Sequence, residues 1–165
     1  MMKRPTMDPR TYPVQGQLPG PLNHGQQPMC NWANYKGMLP YYLSPYIGLP
    51  EPTGTNTNAI PLFQCPAWKK QSANPTNVSY LVPNSIVYEG QTNVPFGYLY
   101  SDGTLVLPMR MVALPPVPLA EIIVLQDIDQ MNASAGVSPY NTMPKKPVHN
   151  GKRNTLYLDG HVATQ

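Results

Sequence analysis

The chain has 165 residues, 41% of them apolar, the length of a single domain with one modest core. Its 22 prolines and 12 glycines interrupt helices repeatedly, so long helices are not expected. A formal net charge of +3, concentrated only weakly at Lys69-Lys70, Lys145-Lys146 and Lys152-Arg153, is too sparse for a nucleic-acid interface, and no apolar run is long enough to span a membrane.

Residues 1–28 carry Pro5, Pro9, Pro13, Pro19, Pro21 and Pro28 and read as an extended arm, lying along the domain or awaiting a partner. The stretch from Met1 to Asp8 leads into no hydrophobic segment, so the chain as written carries no export signal. Residues 29–165 read as one β-rich domain. Trp32, Tyr35 and Leu39 stand at helical spacing before Pro40, and the pattern resumes at Tyr46 and Ile47 after Ser44-Pro45, which predicts two short helical turns with the aromatic stripe in the core. Residues 50–60 form a loop, and 62–66 bring the chain into the core as a short strand. Strands are predicted at 78–81, 86–88, 97–100 and 104–107, the last two joined by a hairpin turn at Ser101-Asp102-Gly103. The apolar run 121–125 is a central strand with Asp127 and Asp129 at its exit. A loop over 132–148 precedes a terminal hairpin that turns at Asn150-Gly151, runs as an alternating strand and turns back at Asp159-Gly160, a tight two-residue turn. The fold class is therefore α+β, mostly antiparallel β, with short N-terminal helices and a terminal hairpin.

Only 12% of residues are charged, so surface contacts rest on Asn, Gln, Ser, Thr and Tyr, a composition suited to packing against copies or neighbours. Cys30 and Cys65 are a candidate disulfide, worth roughly 3–4 kcal/mol in an oxidising compartment. Two buried free thiols fit the sequence equally well. No CxxC or local Cys/His cluster points to structural zinc.

His149, Asp159 and His161 have the residue types of a metal site, but strand rise places His149 roughly 30 Å from Asp159 along the chain. A metal there needs ligands from elsewhere, such as His24. Asp102, Asp127 and Asp129 are candidate calcium ligands, although the spacing has no Gly-hinged loop or closing Glu, and solvated carboxylates are the simpler reading. Ser44, Ser79, Ser85, Ser101, Ser134 and Ser138 sit in no nucleophile elbow, and Cys65 has no His nearby in sequence. No catalytic residue and no cofactor is expected; an enzyme would require His149 or His161 to meet a carboxylate in a pocket.

His149, nine intervening residues, then Asp159-Gly160-His161-Val162, with Asn150-Gly151 and Asn154 inside the interval, resembles the C-terminal signature of the bacterial prepilin-like H-X9-DG family. That family is similar to type II secretion pseudopilins and type IV pilins. The segment from Trp32 to Gly48, Phe63-Gln64-Cys65-Pro66, Val78-Ser79-Tyr80 and the run from Ile123 to Asp127 resemble further family segments in the same order, so the likeness covers residues 30–165. It implies a small pilin-like β domain of the cell envelope or exterior, without enzymatic activity, acting through protein partners or self-assembly in a secretion or filament complex. In the chain as written a Pro-rich arm stands where the resemblance leads one to expect a leader and a long hydrophobic helix, which reads either as a truncated form of such a protein or as a relative without filament assembly. The alternative is a carbohydrate- or metal-binding module of the cell envelope that displays Trp32, Tyr41, Tyr42, Trp68 and Tyr140 on one concave face.

Overall fold

A computed structural model describes residues 16–23, 25–27, 29–30, 37–43, 46, 48, 58–74, 76–83, 85–99, 102, 104–133 and 140–165, with backbone alone at 29–30, 58–59 and 99. His24, the Trp32–Tyr35 stripe, Ser44, Ser101, Ser134, Ser138 and residues 1–15 of the arm lie outside them.

The described part of the arm packs along the domain. Gly25–Gln26 form strand β1, and Leu18 and Leu22 are buried in the core. Met29–Cys30 (β2) pair with Asn58–Ala59 (β3). Between them, Leu39–Leu43 form helix α1, which contains Pro40 instead of ending at it. Proline is accepted there because the first-turn N–H groups of a helix have no intrahelical partner. Residues 62–66 are not a strand. Pro61–Phe63 make a 3-10 turn and Pro66–Gln71 make helix α2, a helix in place of the expected strand. Pro66 occupies the first turn of α2 and Cys65 caps it, its Sγ accepting from Trp68 N at 3.4 Å.

The predicted strands follow as Tyr80–Leu81 (β4), Ile86–Tyr88 (β5), Tyr98–Leu99 (β7) and Leu105–Val106 (β8). Gln91–Asn93 (β6) is an addition to them. It closes a two-residue hairpin with β5, in which Tyr88 faces Gln91 and both turn residues, Glu89 and Gly90, have positive φ. Ile123–Asp127 form β9, Asn154–Tyr157 β10 and Val162–Thr164 β11. The main sheet has the order β1-β4-β9-β10-β11, with every pairing antiparallel, so the protein is α+β and β-rich. The strand predicted at 121–125 does occupy the centre but is shifted by two residues, since Leu119–Glu121 form a 3-10 turn and Asp127 is the last residue of the strand and not beyond its exit.

Among the described residues, two apolar clusters form the core. One gathers Leu18, Leu22, Leu39, Tyr41, Tyr42, Val82 and Phe96; the other gathers Cys65, Trp68, Val78, Ile128, Met143 and Val148. Trp68 locks α2 to the exit of β9, its Nε1 donating to Ile128 O at 2.9 Å, and Ser72 Oγ at the far end of α2 donates to Thr142 O at 2.8 Å. No helix among the described residues is long and apolar enough to cross a membrane.

Candidate functional site

The terminal hairpin makes its tightest turn at Asn150-Gly151. His149 bridges Lys152 across it, and φ is +56° at Asn150 and +79° at Gly151, the double left-handed conformation of a two-residue type I′ turn. The second turn differs from the expectation. Gly160 N donates to Tyr157 O at 2.9 Å and Tyr157 N donates to His161 O at 3.0 Å, so Leu158, Asp159 and Gly160 form a three-residue loop with positive φ at Gly160. Leu158 causes the difference, because its N–H is drawn to Ile122 O at 2.9 Å and anchors the loop to the start of β9.

Asp159 and His161 make one local unit. The carboxylate accepts from His161 N at 3.0 Å and lies 2.6 Å from His161 Nδ1, and the His161 ring stacks on Tyr157 with centroids 4.3 Å apart. The backbone hydrogen bond from His161, with its side-chain contact, holds the Asp159 carboxyl below the usual carboxylate range. Asn154 Oδ1 accepts from Thr164 Oγ1 at 2.8 Å and ties the two hairpin strands together. His149 stands at the other end of β10, as strand direction required.

The calcium grouping is not formed. Asp102 is exposed in the β7–β8 turn, where Thr104 N donates to its Oδ1 at 2.8 Å and lowers its pKa. Asp129 is buried and spent on Arg153, whose Nε and Nη2 donate to its two oxygens at 2.7 and 2.9 Å. Asp129 Oδ1 also accepts from Met131 N at 2.8 Å, which leaves its oxygens committed to protein donors.

Asp127 has a different neighbour. Its Oδ2 accepts from Asn154 N at 2.7 Å and lies 3.4 Å from His149 Nε2. The same Nε2 lies 3.3 Å from Cys65 Sγ. Cys65 is therefore a buried free thiol, not half of a disulfide, because its sulfur faces the imidazole and the α2 amide. The side chain of Cys30 lies outside the described residues. Among the described residues, Cys65, Asp127 and His149 are the one group of three Cys, His or acidic side chains whose donor atoms all lie within 4.8 Å of one another. Local spacing could not reveal it, since 84 positions separate Cys65 from His149.

The three side chains line an open cleft of about 320 Å³, walled by Leu62, Leu125, Leu156 and Val162, with Tyr80 alongside. Burial pushes the Asp127 carboxyl above its ordinary range, partly offset by the Asn154 hydrogen bond and His149. Burial, followed by the nearby Cys65 and Asp127, pushes the Tyr80 phenol up to about 12. A raised folded-state pKa on this acid means that the fold holds the proton more tightly than the unfolded chain. Tyr80's contribution to stability is therefore full below the unfolded value near 10 and is lost as pH rises through about 12. Unfolding free energy is expected to fall across that window in the native chain and to fall less in Tyr80→Phe, as measured by urea denaturation at a series of alkaline pH values. Equal slopes in the two proteins would contradict this assignment.

The aromatic residues expected on a concave face are not gathered there. Tyr41, Tyr42 and Trp68 are buried, and Tyr140 is half-buried with its hydroxyl donating to Gln130 O at 2.9 Å. Comparison with known proteins finds no matching family model, no matching curated protein and no matching solved structure.

Proposed function

We propose that this chain is a non-enzymatic structural and interaction domain, akin to the globular part of a prepilin-like subunit, that works in a secretion or filament assembly of the cell envelope. The observation that carries the reading is how the terminal motif is used. Asn150 and Gly151 make the tight turn, Asn154 clamps β10 to β11, and Asp159 with His161 stabilises the loop that returns the chain. Apart from the His149 side chain, which turns toward Cys65 and Asp127, the motif is consumed by its own hairpin, and such use marks an architecture more than an active centre. Cys65 and Asp127 both approach the same His149 nitrogen, whereas a nucleophile–base–acid relay needs the acid on the opposite ring nitrogen. This too favours a non-catalytic role.

Partner contacts have an apolar surface available. Leu105, Leu107, Met111 and Val112 are all exposed within eight residues, Val112 at 92% of its full surface. Such clustering suits association with a second copy or another subunit. The buried tyrosines and Trp68 give no comparable support to a carbohydrate-binding platform.

The test combines fractionation with cross-linking. The tagged chain, expressed from its own locus with a photo-cross-linking residue at position 107 or 112, is expected in the envelope fraction with adducts to itself or to another envelope protein. A chain confined to the cytosolic fraction that gives no adduct would overturn the proposal.

A further inference from the structure

We infer that Cys65, Asp127 and His149 form a binding site for one zinc-class divalent cation, with a fourth coordination position open to the cleft beside them. The inference does not depend on the assembly role proposed above. It rests on convergence. The three donors come from three distant parts of the chain: the cap of α2, the end of β9 and the approach to the Asn150-Gly151 turn. Their atoms nevertheless point at one small volume, with Sγ to Nε2 at 3.3 Å and Nε2 to Oδ2 at 3.4 Å.

Those separations suit a tetrahedral metal better than a catalytic relay. With zinc bonds of about 2.3 Å to sulfur and about 2.0–2.2 Å to nitrogen and oxygen, neighbouring ligand atoms stand roughly 3.3–3.6 Å apart. Two of the three separations already fall in or next to that range. The third, Sγ to Oδ2, is no more than 4.8 Å and would reach the range by shortening at most about 1.2–1.5 Å through side-chain rotation.

The donor chemistry agrees. One thiolate, one neutral imidazole and one carboxylate are a borderline-soft set of the kind that selects zinc over calcium or magnesium. Their summed charge of −2 would neutralise a divalent cation, and the buried carboxyl, which the fold alone leaves poorly compensated, gains a counter-charge. Ligand support is also present. Asn154 N orients Asp127 through Oδ2, and Trp68 N fixes the Cys65 sulfur through a backbone hydrogen bond. Three protein ligands with an open cleft on the remaining side match a site that keeps an exchangeable position for water or a partner's side chain.

The test uses the full chain, stripped of metal with a chelator and titrated with cobalt(II) and then zinc(II). Cobalt is expected to produce visible absorption of tetrahedral type with a sulfur-to-metal charge-transfer band, and zinc is expected to abolish both at one equivalent. Cys65→Ser should lose the charge-transfer band. His149→Gln should weaken zinc binding by more than about tenfold, the smallest loss that even an outer-shell substitution produces. Circular dichroism checks that both variants remain folded. Should either unfold, thiol alkylation of the Cys30→Ser protein supplies a second readout, in which zinc is expected to slow modification of Cys65. Failure of the folded native chain to show a cobalt–thiolate band, zinc affinity unchanged by Cys65→Ser and His149→Gln, or a Cys65 alkylation rate unchanged by zinc would overturn the site.

Discussion

Trp68→Ala is expected to lower the free energy of unfolding by about 3–5 kcal/mol, the largest loss from any single substitution considered in this protein. Trp68 is only 1% exposed and fills the cluster formed by Cys65, Val78, Ile128, Met143 and Val148. Truncation leaves a cavity there and orphans Ile128 O, which accepts the indole N–H at 2.9 Å. An unsatisfied buried carbonyl adds about 1–3 kcal/mol to cavity costs when no water replaces the donor. Total stabilities of single domains are about 5–15 kcal/mol, so a large share of the margin is at risk. Trp68→Phe helps to separate the two contributions, because it loses the donor but keeps a six-membered ring in the site and so leaves a much smaller cavity than Ala. Urea denaturation followed by far-ultraviolet circular dichroism measures both variants. A Trp68→Ala loss below about 1 kcal/mol would mean that α2 is not docked through this residue.

Arg153→Ala is expected to cost about 3 kcal/mol, in the range found when one member of a buried ion pair is removed. Asp129 is 1% exposed and receives two guanidinium hydrogen bonds. Without them its charge stays buried with only the Met131 amide for compensation. The pair also has an architectural position. Asp129 follows β9, and Arg153 precedes β10, where its backbone exchanges hydrogen bonds with Gln165 at 2.7 and 2.9 Å. Loss of the guanidinium therefore loosens both the exit of the central strand and the open end of the hairpin. Adding Asp129→Asn to Arg153→Ala should restore part of the stability, since the amide removes the stranded charge. A double variant whose loss equals the sum of the two single losses would show that no ion-pair coupling exists.

Local patterns carried much of the β architecture. The β-branched and aromatic run at 86–88, the continuous apolar run at 121–125 and the Asn-Gly at 150–151 encode strand and turn through preferences that act over a few residues. Proline misled twice for one physical reason. At Pro40 and Pro66 it read as a helix stop or a strand flank, whereas each stands in the first turn of a helix, the one helical place that tolerates a missing N–H. The three-residue loop at 158–160 was also outside local reach, since the contact that sets it, Leu158 N to Ile122 O, joins segments distant in sequence.

By itself, the sequence determined an α+β, β-rich domain, the central place of the 121–125 run and the turn at Asn150-Gly151, because each depends on periodicity or on the φ preferences of adjacent residues. Only the tertiary structure decided the fate of the chemically capable side chains. It paired Asp129 with Arg153, left Asp102 in solvent, and drew Cys65 to His149 and Asp127 across the sheet. Donor atoms meet through the packing of α2 and the antiparallel register of β9 with β10, and neither is written in the spacing of the residues that supply them.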